Sequence, residues 1–219
     1  AEPNGLLAAG GDLSVARLVD AYRHGIFPWP DPDIEPLLWW SPDPRLVLAP
    51  GDLRISRSLR KRLRAGTCRV TFDQAPADVL AGCAGPRRED DGTWITGAMA
   101  DAYLALHAAG YMHTVEAWDG DALVGGLYGV SLGRMFFGES MFTRRPDASK
   151  VALAWAVRHL ARWGVALVDC QVHTDHLVSL GAHAMPRAAF LARVAALTAA
   201  PGPVLPWQDR KSTRLNSSH

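Results

Sequence analysis

The chain has 219 residues, 48% hydrophobic and 21% charged, with a formal net charge of +1. These are the figures of an ordinary soluble globular protein, long enough for one large domain or two small ones, and no apolar run approaches the ~20 residues that span a bilayer. Cys68, Cys83 and Cys170 are odd in number and far apart, which argues against a disulfide framework and for a reducing, cytoplasmic setting.

The chain starts at Ala1 rather than a methionine, so a short leading segment is expected ahead of it. SVARLVDAYRHG, residues 14–25, has helical apolar spacing, with Ser14 as N-cap and Gly25 as stop. The next stretch, IFPWPDPDIEPLLWWSPDPR, is dense in proline and carries three tryptophans. It is expected to form no regular element and to pack as a stiff aromatic loop. Leu46 to Leu48 reads as a short strand, and RISRSLRKRLR as a helix from about Ser56. A helix is expected over 72–83 with Pro76 in its first turn, and another over 98–109. From His113 the period changes to two: HTVEAW, a turn at Asp119-Gly120, ALVGGLYGVSL, then RMFFG predict a three-stranded meander. Ser149 is expected to cap a helix stopped by Gly164, Val165 to Val172 to form a buried strand, and Pro186 to open a last helix through Leu197.

This order predicts an α/β (α+β) protein. A small N-terminal domain (1–65) holds the Pro/Trp-rich loop and the basic helix. A mixed-sheet domain (66–207) follows, with the meander, crossover helix and strand of GNAT-like acyltransferases. Residues 208–219 read as a disordered tail and a candidate for non-native sequence.

Four stretches can carry chemistry. Cys170 and His173 have a spacing seen in zinc sites, but side chains alternate along a strand, and no second cysteine follows. No metal is expected. Cys170 as a nucleophile lacks an oriented base, so a buried structural thiol is the simpler reading. Asp169 and Gln171 lie two apart on an apolar strand, and Glu139 follows the meander. Each must be paired or face a cavity, and local sequence leaves both readings open. Arg54, Arg57, Arg60, Lys61, Arg62 and Arg64 form a run without an acid, which reads either as a solvated face or as a phosphate-contacting patch.

EPNGLLAAGGDLS, AYRHGIFPW, LLWWSPDPR, TWIT, LVGGLYGV, FFGESMF, VDCQV and DHLVSLGA run in order from Glu2 nearly to Trp207. In these stretches the chain resembles the leucyl/phenylalanyl-tRNA–protein transferases. The resemblance implies a cytosolic, cofactor-free enzyme, expected to be monomeric. It would move Leu or Phe, and Met, from aminoacyl-tRNA to acceptor proteins with N-terminal Arg or Lys, which marks them for N-degron degradation.

It also implies roles. Asp169 would polarise Gln171 to orient the attacking amine, with Glu139 and Asp169 facing the cationic acceptor. Trp29 and Trp94, with Phe136 and Tyr22 as weaker members, would hold the terminal adenosine. Leu127, Leu153, Ala156, Leu160 and Val168 would line the aminoacyl pocket, where Leu127 and Ala156 replace the methionine and aromatic that other members carry. The basic run would contact tRNA phosphates. The rival readings are a GNAT-type N-acyltransferase using acyl-CoA, disfavoured by the glycine-free MFTRRPDASK turn, and a non-catalytic RNA-binding module.

Overall fold

The computed structural model describes residues 4–30, 36–85, 95–202 and 207. Strand β1 (Leu6–Ala9) comes first, and Ser14 then accepts the backbone N–H of Arg17 to open helix α1 (Val15–Arg23). The Pro/Trp-rich stretch departs from its irregular expectation. Among its described residues it holds strands β2 (Phe27–Pro28) and β3 (Leu38–Trp40), which join β1 in a sheet of order β1-β3-β2. Proline shortens these strands without abolishing them. Pro28, which has no N–H to give, sits on an edge strand.

Strand β4 (Arg45–Leu48) follows, then helix α2 (Arg57–Ala65), capped by Ser56 and stopped by left-handed Gly66. The helix expected over 72–83 is shorter. Residues up to Phe72 belong to strand β5 (Arg69–Phe72), and Pro76 takes the first position of helix α3 (Pro76–Ala84). Helix α4 (Gly97–Ala108) is capped by Thr96. The expected meander is present as β6 (Met112–Asp119), β7 (Ala122–Leu132) and β8 (Met135–Thr143). Helix α5 (Ala148–Arg162) starts one residue before Ser149, with Asp147 at the cap in a left-handed conformation. Strand β9 (Leu167–Gln171), a short helix α6 (Asp175–Ser179), strand β10 (His183–Met185) and helix α7 (Arg187–Ala199) complete the described chain. Neither α6 nor β10 was expected, because each is too short for a periodic pattern.

The seven-stranded sheet runs β10-β4-β9-β8-β7-β6-β5 and is antiparallel except where β8 and β9 pair in parallel across the α5 crossover. Thus β4, on the N-terminal side of the boundary expected near residue 65, pairs with β9 and β10 inside the large sheet. Alternation along the strands feeds two apolar layers. Leu167 joins Tyr22, Val79, Tyr103 and Phe190 on one face, and Val168 joins Leu127, Leu153, Val157 and Leu160 beneath α5 on the other. Trp207 completes the second layer. It stacks on His113 at 4.0 Å and lies against Trp163 and Phe136.

The start of α5 presses closely on β7. A Cβ on Gly125 would lie 2.7 Å from the Ala148 Cβ and 2.9 Å from its carbonyl carbon, so only glycine permits this approach. Gly125→Ala is therefore expected to cost about 1–3 kcal/mol, measurable as a lower denaturant midpoint with unchanged slope.

Candidate active site

The site begins at the C-terminal end of β9. Asp169 is fully buried and sits in register with Phe137 of β8 and Val47 of β4. Arg45, at the first position of β4, reaches it with a two-pronged grip: Nε donates to Oδ1 at 2.8 Å and Nη2 to Oδ2 at 2.6 Å. The guanidinium lies over the rings of Phe27 and Phe190, 4.7 Å from each centroid. Such a pair withstands burial because charge and geometry are both matched.

Oδ1 of Asp169 also accepts the backbone N–H of Gln171 at 2.8 Å. Gln171 takes the left-handed region, φ +62°, rare for a residue with a side chain. Its Nε2 donates to Oε1 of Glu139 at 2.7 Å. Tyr103 donates to the other Glu139 oxygen at 2.9 Å, and the Tyr103 and Tyr22 hydroxyls are 2.6 Å apart. Burial, opposed by the Tyr22 and Tyr103 hydroxyls and by Arg45 and reinforced by Asp169, pushes the Glu139 carboxyl up to about 7. Both tyrosines are held well above the usual phenol range, first by burial and then by the Glu139 charge. Glu139 can therefore exchange a proton near neutrality.

Glu139 and Gln171 stand on the wall of a cavity of about 310 Å³, whose apolar side is made by Leu127, Phe136, Met141, Leu153 and Val168. Three of the five expected pocket residues, Leu127, Leu153 and Val168, thus line one space. Ala156 and Leu160 pack behind them in the same apolar layer. Phe136, expected beside an adenine, lines this cavity instead.

Tyr22, expected in the same aromatic set, is fully buried with its hydroxyl on Tyr103 and offers no ring face. Trp29 is 39% exposed, tilted against Phe27 and Trp40. Trp94 lies outside the described residues. Asp169 meets the backbone of Gln171 rather than its amide, and Arg45 holds both of its oxygens. Both acids line the cavity, and among the described residues Glu139 is the one whose oxygens are free of any arginine grip.

Burial, reinforced by Asp169, pushes the Cys170 thiol up to about 12, so little of it is the nucleophilic thiolate near neutrality. Among the described residues no three His, Cys, Asp or Glu side chains converge as metal ligands. Arg45 and Tyr103 were not anticipated from sequence. The only hint of Arg45 was the rule that a buried carboxylate needs a cation.

On α2, Arg57, Arg60, Lys61 and Arg64 are exposed, as is Arg54 just before it. Arg62 departs from the row and pairs with Asp147 at 2.7 Å, which Lys150 also meets at 3.1 Å. Lys150 in turn acts on His176 of the cavity wall, whose imidazole is held below its usual range chiefly by burial and then by that cation.

The family model described as "Leucyl/phenylalanyl-tRNA protein transferase" matches residues 47–195, and the model of that family's N-terminal domain matches residues 11–43. The chain is 62% identical over 189 residues to a leucyl/phenylalanyl-tRNA–protein transferase of Stutzerimonas stutzeri, covering 86% of this chain and 83% of the relative. A protein of the same name from Aromatoleum aromaticum is 61% identical over 98% of this chain and 90% of its own length. Among solved structures, a GCN5-related N-acetyltransferase from Kribbella flavida overlaps 75% of this chain and 57% of its own, with TM-score 0.35 and 17% identity.

Glu139 keeps its proton longer in the folded state, about 7 against an ordinary 4.5. Below the lower value both states are protonated and nothing is lost. Between the two, the unfolded chain ionises first and stability falls as pH rises. Glu139→Gln removes this penalty, so the variant should gain on the parent by about 2 kcal/mol between pH 5 and pH 8, read by urea unfolding at both values.

Proposed function

This chain belongs to the leucyl/phenylalanyl-tRNA–protein transferase family, and on that premise we propose that it moves Leu, Phe or Met from charged tRNA to an N-terminal Arg or Lys. The acceptors would be cytosolic proteins, which the added residue marks for N-degron degradation. The observation that carries this reading is the Gln171–Glu139 pair on the wall of an apolar cavity large enough for a leucyl or phenylalanyl side chain. The substrate ester is already activated, so the chemistry needs position, a proton acceptor and a dry wall rather than a covalent nucleophile.

In this mechanism the aminoacyl side chain enters between Leu127, Leu153 and Val168, and its ester carbonyl stops beside Gln171. The neutral α-amine of the acceptor attacks the carbonyl carbon, with one amine hydrogen accepted by the Gln171 side-chain oxygen. The carbon–nitrogen bond forms, and the amine gives its proton to the ionised Glu139. The carbon–oxygen bond to the terminal ribose then breaks, and the leaving oxygen becomes a hydroxyl by taking the proton that Glu139 received, which returns Glu139 to its ionised form. Tyr103 follows the charge on Glu139 through its hydrogen bond, and Glu139 is also the natural anion for a cationic acceptor terminus. Trp29, with Trp94, supplies stacking surface for the terminal adenosine. The exposed cations of α2 neutralise acceptor-stem phosphates without reading sequence.

An apolar pocket separates side chains that differ by a methylene by only ~1–3 kcal/mol. Leu127 and Ala156 would therefore change the rank of Leu, Phe and Met and not the reaction class.

Radiolabelled leucine from leucyl-tRNA is expected on a peptide with N-terminal arginine and not on the same peptide with N-terminal alanine. Label on neither, from folded protein and intact leucyl-tRNA, refutes the proposal. Reversing Arg60, Lys61 and Arg64 to Glu should raise the KM for aminoacyl-tRNA at least tenfold, flatten its salt dependence by about the number of phosphates released and leave the melting temperature unchanged. An unaltered KM would make α2 a solvated face.

A further inference from the structure

We propose that Arg45 is a positioning residue for this reaction: by gripping Asp169 it sets the turn at Gln171 that presents the Gln171 amide to Glu139. The inference rests on the transfer reaction proposed above and names a residue that touches no substrate.

Three observations carry it. Arg45 is fully buried, and its side-chain hydrogen bonds go to Asp169 alone, while Nη1 has no partner among the described residues. The Asp169 oxygen that Arg45 Nε holds is the oxygen that accepts the Gln171 backbone N–H. Gln171 is in turn left-handed at φ +62°, a conformation that persists only where neighbours over-determine it, and its amide ends 2.7 Å from Glu139. An ion pair that served stability alone would not need to share that oxygen.

A planar fork suits the task. It sets both carboxylate oxygens at once, which a lysine, a single point charge, does not. The rings of Phe27 and Phe190, each centred 4.7 Å from the guanidinium carbon, pack against the fork.

The charged and titratable groups around Glu139 are Tyr22 on α1, Arg45 on β4, Tyr103 on α4, Tyr128 on β7, Asp169 and Cys170 on β9, and His176 on α6 across the cavity. Of these, Arg45 is the cation that favours the ionised form of Glu139. Its loss therefore has a signature that a packing defect lacks.

The test uses the full chain with leucyl-tRNA and an arginine peptide. It compares the parent with Arg45→Lys, Arg45→Met and the double variant Arg45→Met with Asp169→Asn, each checked by circular dichroism and thermal melting. The double variant leaves no unpaired buried charge, and so stays measurable where Arg45→Met does not fold. In Arg45→Lys, kcat should fall roughly 100-fold while the KM for leucyl-tRNA holds. In Arg45→Met the ascending limb of the pH–rate profile should move to higher pH, and the double variant should keep its fold but not its kcat. Parental kcat in folded Arg45→Lys or in the double variant, or a loss that only follows the folded fraction with the pH limb unmoved, overturns the inference. Absence of transfer by the parent itself refutes the proposed reaction and says nothing against Arg45.

Discussion

A guanidinium and a carboxylate, both shut away from water, face each other across β4 and β9. Removing either would strand the other's charge in the core, at a cost of about 3–5 kcal/mol. The pair therefore constrains everything near it. Arg45 comes from the chain immediately after the proline-rich loop, while Asp169 lies 124 residues later on the strand that follows the crossover helix. Docking these two stretches seats β4 against β9 in the seven-stranded sheet, with β10 added on the far side of β4.

From that pair a single line of hydrogen bonds runs outward. Asp169 holds the backbone of Gln171, Gln171 holds Glu139, and Glu139 is held by Tyr103, which meets Tyr22. The line crosses from a fully buried ion pair to the wall of an apolar cavity. Low dielectric strengthens every link and makes each unpartnered group costly, so the geometry is held by its own satisfaction. The two carboxylates have different partners. Asp169 has a cation at bonding distance; Glu139 has neutral donors and a more distant guanidinium, so burial dominates there and pushes its carboxyl up to about 7.

The other side of the cavity is tied to the basic helix by charge. Arg62 of α2 and Lys150 of α5 share Asp147, and Lys150 acts on His176 beside the cavity. The basic helix α2 and the cavity wall are thus linked through the first turn of α5, which Gly125 allows to lie directly on the sheet.

Local pattern was enough for much of this. Alternation announced the meander, because successive side chains of a strand point to opposite faces and so meet different neighbours. Ser14 and Ser56 open helices where expected, because an unpaired N–H needs an oxygen whatever the tertiary fold, whereas Ser149, expected as a cap, lies inside α5 behind Asp147. The motif stretches were enough to name the family and to single out Asp169, Gln171 and Glu139. Of the short strands, β4 and β9 were legible as apolar runs and the others were not. β2, β3, β5 and β10 are too short to carry a period, and they exist because a neighbouring strand supplies their hydrogen bonds. The sequence by itself determined which residue types would be dangerous to bury: a carboxylate on an apolar strand, a lone glutamate after a meander. Only the tertiary structure decided how each danger is met, with Arg45 for the first and two tyrosines and an amide for the second. Electrostatic partners are chosen by distance in space, and nothing in the spacing of residues 45, 103, 139 and 169 along the chain encodes that distance.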